Sequence, residues 1–207
     1  PETMRYPTGN GRFNWLMLFQ DGNRLDLSLA PLDQADQVVS DSQSIVLLDK
    51  DGFWPSVPPA SDQDYWVTPP DALFYASCCN NFWWCLQNVA KGILRDELPY
   101  AMMMFHTVVR QELHDMLSWY IGAQQGFQVS SGKMGKYFKR FLPKDMYEAY
   151  ANTYSDSCPA HIWQAVFAAC DLFRQAAVVV AKHFDFSYST LDDLNMTNYL
   201  KAMASLR

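Results

Sequence analysis

Residues 15–29, WLMLFQDGNRLDLSL, decide how this chain is read. Two apolar runs flank Asp21-Gly22-Asn23, and Asp-Gly between such runs is a strong hairpin signal. In the second run Leu25, Leu27 and Leu29 take one face, which leaves Asp26 and Ser28 on the other. A carboxylate set among leucines on a strand has two readings. It faces water on a half-buried antiparallel sheet, or it is one of the acidic residues of a metal-dependent transfer site.

Outward from the hairpin, residues 1–68 read as mixed α/β. Pro31 breaks the pattern, a short helix is expected near Leu32–Val39, and a strand over Ser44–Leu48. Pro55, Pro58, Pro59, Pro69 and Pro70 exclude regular structure between Phe53 and Pro70. Beyond them the pattern turns helical. Thr68 reads as an N-cap, with prolines in the first turn and Asp71 as the acidic third position. Phe74, Cys78, Phe82, Cys85, Val89 and Ile93 recur at spacings of three and four, which gives one buried stripe. Met102, Phe105, Val109, Leu113, Met116 and Tyr120 do the same on a second long helix ending near Gly122 or Gly126. Ile162, Val166, Ala169, Phe173, Ala176 and Val180 form a third, entered by Pro159. Shorter helices are expected around 133–142, 143–153 and 196–205. The fold class is therefore α+β: a partial mixed sheet in residues 1–68, followed by an α-helical bundle in residues 69–207.

Composition narrows the partners. With 22 acidic against 16 basic residues the net charge is -6, which argues against nucleic acid and suits a cationic partner. The five cysteines are odd in number and lack C-x-x-C spacing. Buried free thiols in a reducing compartment, the cytoplasm, account for them. No apolar run approaches the ~20 residues of a membrane span, and no signal peptide is visible, so no membrane partner is expected. The chain opens at Pro1 without a methionine and is expected to be a piece of a longer protein.

Several residues carry candidate chemistry. The segment 132–140, GKMGKYFKR, is rich in basic residues; on a helix Lys133, Lys136 and Arg140 share a face. Such a stripe grips a triphosphate or is simply solvated. It is not a Walker A loop, because Gly126 lies one residue too far upstream and Met134 stands where Ser or Thr would bind Mg²⁺. Lys91 and Arg95 sit four apart and complement the end of their helix without any ligand. Asp96 and Glu97 beside them offer negative charge to a cationic substrate. The histidines at 106, 114, 161 and 183 show no metal-ligand spacing, and His106 reads as structural. Trp83 and Trp84 lie off the first stripe and are expected to pack between domains.

Taken in order, LFQDGNRLDLSLAPL (18–32), VLLDKDG (46–52), YWVTPP (65–70), CCNNFWWCLQNVAKGILRDELPYA (78–101), MLSWYIG (116–122) and GKMGKYFKRFL (132–142) resemble the aminoglycoside 6-adenylyltransferases, the streptomycin adenylyltransferase-like family. The resemblance covers most of the chain and weakens after about residue 185. It implies that residues 1–68 are the C-terminal remnant of a nucleotidyltransferase domain and residues 69–207 a helical C-terminal domain. It implies transfer of AMP from ATP, with Mg²⁺, to a hydroxyl of a small-molecule aminoglycoside such as streptomycin. Asp26 then matches the family's later strand carboxylate, a metal ligand or general base. Lys133 and Lys136 match a Gly-Lys segment that reaches the ATP phosphates, with Lys91 a further candidate, and Glu97 and Asp96 are candidates for the drug's cationic groups. The family's Gly-Ser turn and Asp-x-Asp pair are expected upstream of the hairpin. This sequence has no Gly-Ser, and Asp49/Asp51 and Asp62/Asp64 follow Asp26 in the wrong order. These residues alone are therefore expected to lack transferase activity. The segment 102–115, MMMFHTVVRQELHD, departs from the family on the helix expected to line the acceptor pocket, which leaves the acceptor open. The alternative class is a non-catalytic helical binding module.

Overall fold

The computed structural model describes residues 2–7, 9, 11–38, 41–54 and 57–206. The chain divides into two units, Pro1–Asp64 and Tyr65–Arg207.

In the first unit the expected hairpin forms between β2 (Phe13–Leu18) and β3 (Arg24–Leu29). The Asp21 carboxylate accepts from the backbone N–H of Asn23 (3.0 Å), and Gly22 takes φ 84°. That side-chain bond and the left-handed glycine close the turn without straining the strands. A further strand, β1 (Glu2–Pro7), which the alternation did not reveal, pairs antiparallel with β2, so the sheet order is β1-β2-β3. Trp15 lies opposite Leu27 and Leu16 opposite Asp26, which puts Leu25, Leu27 and Leu29 on one face as the alternation predicts. The short helix is present as a 3₁₀ turn, Leu32–Gln34, running into α1 (Ala35–Val38).

The strand expected over Ser44–Leu48 does not form. Ile45, Leu47 and Leu48 are exposed, and the segment is pinned instead by turn bonds. Ser44 N–H reaches the Asp41 carbonyl (2.9 Å), and the Asp49 carboxylate collects the N–H groups of Phe53 and Trp54. β-branched residues raise strand propensity, but a strand without a neighbour to pair with gains nothing from it.

The second unit is helical: α2 (Ala72–Leu94), α3 (Leu98–Met103), a π-helical segment (Met104–Val109), α4 (Arg110–Gln125), α5 (Phe138–Phe141), α6 (Lys144–Ala151), α7 (Pro159–Phe184) and α8 (Thr190–Ala204). Asp71, not Thr68, caps α2: its carboxylate accepts from the Phe74 N–H at 2.7 Å, leaving both prolines outside the helix. An aspartate three residues before an orphan donor competes better than a threonine separated from it by two prolines. The second stripe runs on a helix that widens by one residue through Met104–Val109 and ends at Gly126, left-handed at φ 65°.

All six residues of the third stripe are buried on α7, which packs against α4 and α6. By length and composition α7 would also pass for a membrane span, but more than half of its most apolar window is buried inside this unit. It is a core helix. Trp83, expected between domains, is instead buried in the helical core, edge-on to Phe82 and Phe173, whose rings stack at 3.8 Å; Trp84 is exposed. Phe74 and Cys85 also fall off the buried face, and Tyr75, Cys79 and Leu86 replace them. None of the five cysteines is bonded to another, and four are buried or half-buried; Cys158, at the start of α7, is exposed.

Candidate functional site

Asp26 projects from β3 on the face opposite the leucines, and its side chain is 46% exposed. Both carboxylate oxygens are occupied by Arg24, at 2.8 Å from Nε and 2.7 Å from Nη2. That bidentate pair holds the carboxyl below its usual range. The group of three or more potential metal ligands found among the described residues is Asp156, Cys158 and His161, and Asp26 is not part of it. The described residues therefore do not assemble a divalent-metal centre around Asp26. A cation reaching it would meet one carboxylate and would first have to displace Arg24.

The basic segment is not the continuous helix expected of it. Gly132 (φ 75°), Met134 (φ 57°) and Gly135 (φ 72°) are left-handed, so Lys133–Gly135 make a 3₁₀ turn, and α5 begins only at Phe138. Lys133, Lys136 and Arg140 thus share no helix face. The loop is tied by Gly132 N–H to Ser130 Oγ (3.1 Å) and Tyr137 N–H to the Ser131 carbonyl (3.1 Å). A Cβ on Gly132 would lie 2.6 Å from both Lys136 Cγ and the Tyr137 ring, so the glycine is required for this path. Lys133 and Lys136 are both exposed, and the Lys136 ammonium sits 4.8 Å from the centre of the Tyr137 ring. The loop therefore presents two exposed cations beside two left-handed glycines, a chemistry suited to phosphate oxygens.

Lys91, Asp96 and Glu97 are brought together at the α2–α3 turn, all three exposed. Asp96 is left-handed at φ 59°, and the Glu97 N–H returns to the Gly92 carbonyl at 2.8 Å. This is a tight helical corner with charged side chains around it.

The spacing rules missed a cavity of about 500 Å³ next to the lysine loop. Gly132, Met134 and Gly135 form one side, and α4 supplies Gln111, His114, Asp115 and Ser118 on another. Arg110, nearly fully buried, donates from Nη1 to Thr153 Oγ1 (2.8 Å), from Nη2 to the Thr153 carbonyl (2.8 Å) and from Nε to His106 Nδ1 (3.1 Å). Its guanidinium also lies 3.8 Å from the centre of the Tyr154 ring. His106 is structural, as expected: burial and then the Arg110 charge lower its pKa, so the ring stays neutral and accepts. His114 Nε2 pairs with Tyr150 Oη (2.9 Å), which meets Tyr154 Oη at 2.8 Å. Burial, reinforced by Arg110, lowers His114 to about 4. The signal that would have exposed this cavity is the polar i, i+4 series Arg110, His114, Ser118, with Gln111 and Asp115 beside it.

A small antiparallel sheet in one unit and a helical bundle in the other make an α+β protein. Residues 1–203 match the family model for streptomycin adenylyltransferase. The aminoglycoside 6-adenylyltransferase of Bacillus subtilis (strain 168) is 33% identical over 207 residues, a match covering 98% of this chain and 72% of that protein. Its namesake from Campylobacter jejuni is 35% identical over 202 residues, covering 97% and 70%. A crystal structure of an aminoglycoside 6-adenyltransferase from Bacillus subtilis matches with a TM-score of 0.62 at 28% identity, over 98% of this chain and 77% of that one. The chain belongs to the streptomycin adenylyltransferase family. Relatives named for an enzymatic activity do not favour the binding-module alternative.

Proposed function

We propose that this chain serves adenylyl transfer from Mg·ATP to a hydroxyl of streptomycin or a related aminoglycoside. The observation that carries the reading is the family match running from residue 1 to residue 203. In the reaction an acceptor oxygen attacks the α-phosphorus, the bond to the β-phosphate bridging oxygen breaks, pyrophosphate leaves, and the hydroxyl proton passes to a base. Positioning and charge neutralisation carry most of such a step.

Residues 1–68 act as part of the nucleotidyltransferase domain and residues 69–207 as the helical domain. Lys133 and Lys136 neutralise phosphate oxygens, with Lys91 as a further cation. Once its pair with Arg24 opens, Asp26 accepts the proton, or adds one carboxylate to a metal site whose other ligands lie outside the described residues. Asp96 and Glu97 attract the drug's cationic groups. Five unpaired thiols and a reaction that consumes ATP support a cytoplasmic location.

The test uses these 207 residues, titrated calorimetrically with Mg·ATP and with streptomycin and then incubated with both. Binding of each ligand, with Mg·ATP weakened roughly tenfold in the Lys133→Ala/Lys136→Ala double variant, supports the reading. Failure to bind either ligand overturns it. Asp26 lacks partner carboxylates among the described residues, so mass analysis is expected to find the drug unmodified. A drug heavier by one adenylyl group would overturn that last expectation while confirming the chemistry.

A further inference from the structure

Among the described residues Asp115 is the one carboxylate on the wall of the cavity beside the lysine loop. It is half-buried, and among the described residues its side chain takes one hydrogen bond, from the Gln111 side-chain amide, Nε2 to Oδ1 at 3.0 Å. No lysine, arginine or histidine lies within ion-pairing distance of it among the described residues. Burial without a cation is costly to a carboxylate, and the consequence is visible in a pKa raised above the ordinary value.

The remaining lining explains why nothing internal relieves that cost. The cavity's guanidinium, Arg110, is committed to Thr153 and His106 and covered by the Tyr154 ring. Both histidines are held neutral. Ser118 and Ser131 hydroxyls, 3.0 Å apart, line the same cavity and pair with each other. One half-buried negative charge, two hydroxyls able to redirect their bonds, and about 500 Å³ of space fit a hydroxyl-rich group carrying a positive charge. A divalent metal fits poorly, because it would find a single carboxylate. The net charge of -6 favours the approach of a cation over that of an anion.

Resting on the reading of this chain as an aminoglycoside adenylyltransferase, we propose that Asp115 is a specificity-determining residue, receiving a guanidinium or ammonium group of the acceptor in the cavity between α4 and the Gly132–Gly135 loop. The ligand's cation replaces the partner the carboxylate lacks, while Ser118 and Ser131 accept or donate to its hydroxyls. Removing the charge weakens the acceptor and leaves Mg·ATP untouched.

The experiment is a calorimetric titration of the 207-residue chain with streptomycin, and with kanamycin as a second polycation, in the native sequence and in Asp115→Asn, Asp115→Ser and Asp115→Glu. Affinity is expected to fall roughly ten- to hundredfold in Asp115→Asn and Asp115→Ser and to recover in part in Asp115→Glu. Mg·ATP affinity and melting temperature should stay at native values, and a drop in drug affinity accompanied by lost folding in both neutral variants overturns the assignment. Native binding left unchanged by the neutral variants overturns this inference alone and leaves the proposed function standing. If the native chain binds neither drug, both fall.

Discussion

His114 carries a consequence for acid stability. Its folded pKa of about 4 lies below the ordinary 6.5, because burial and then Arg110 disfavour the imidazolium. Between those two values the unfolded chain binds a proton that the folded chain refuses. Stability therefore falls as the pH drops from 6.5 towards 4, and the loss from this group is complete below that window. His114→Gln keeps a hydrogen-bonding group for Tyr150 and removes the titration. Urea midpoints measured from pH 7 to about pH 5 should fall less steeply in the variant than in the native chain; identical slopes would contradict the assignment. At this scale the sequence revealed residue types better than roles. Asp26 and the lysines at 133 and 136 stand out by their neighbours. Asp115 does not, because a carboxylate at helical spacing from a glutamine looks like any solvated face until a cavity forms beside it.

Among the elements, the long helices were legible because three apolar stripes fix their period, and all six residues of the α7 stripe are buried. Two kinds of local departure were not. The Ser44–Leu48 run has the composition of a strand, but among the described residues no strand runs beside it, and a hydrophobicity pattern cannot report whether a neighbouring strand exists. The Gly132–Arg140 segment has helical spacing, yet three left-handed residues interrupt it, and glycine tolerates either outcome. The α2–α3 corner shows how a single small residue sets an element's position. A Cβ on Gly92 would come within 2.9 Å of the Ala101 Cβ and 3.0 Å of its Cα, so α3 would have to move. Gly92→Ala should cost about 1–3 kcal/mol despite its better helix propensity. Chemical denaturation decides between this and the gain of up to about 1 kcal/mol that an open helical site would show.

Across the whole molecule, burial is distributed unevenly between the two units. The buried apolar residues among those described run from Tyr75 to Leu200, all in the helical unit, where Arg174 and Asp193 add a bidentate pair joined by Tyr188 and Thr197. In the sheet Leu25, Leu27 and Leu29 remain exposed on one face. The helical unit thus supplies the stable frame on which the lysine loop and the Asp115 cavity are built. The acidic chain as a whole favours a polycationic acceptor, an attraction that salt screens. Equilibrium dialysis of labelled streptomycin against these 207 residues, at low and at high ionic strength, decides whether this chain takes up a polycationic acceptor. Saturable one-to-one binding that weakens as salt rises is expected; binding that never saturates, or none at either ionic strength, would rule it out.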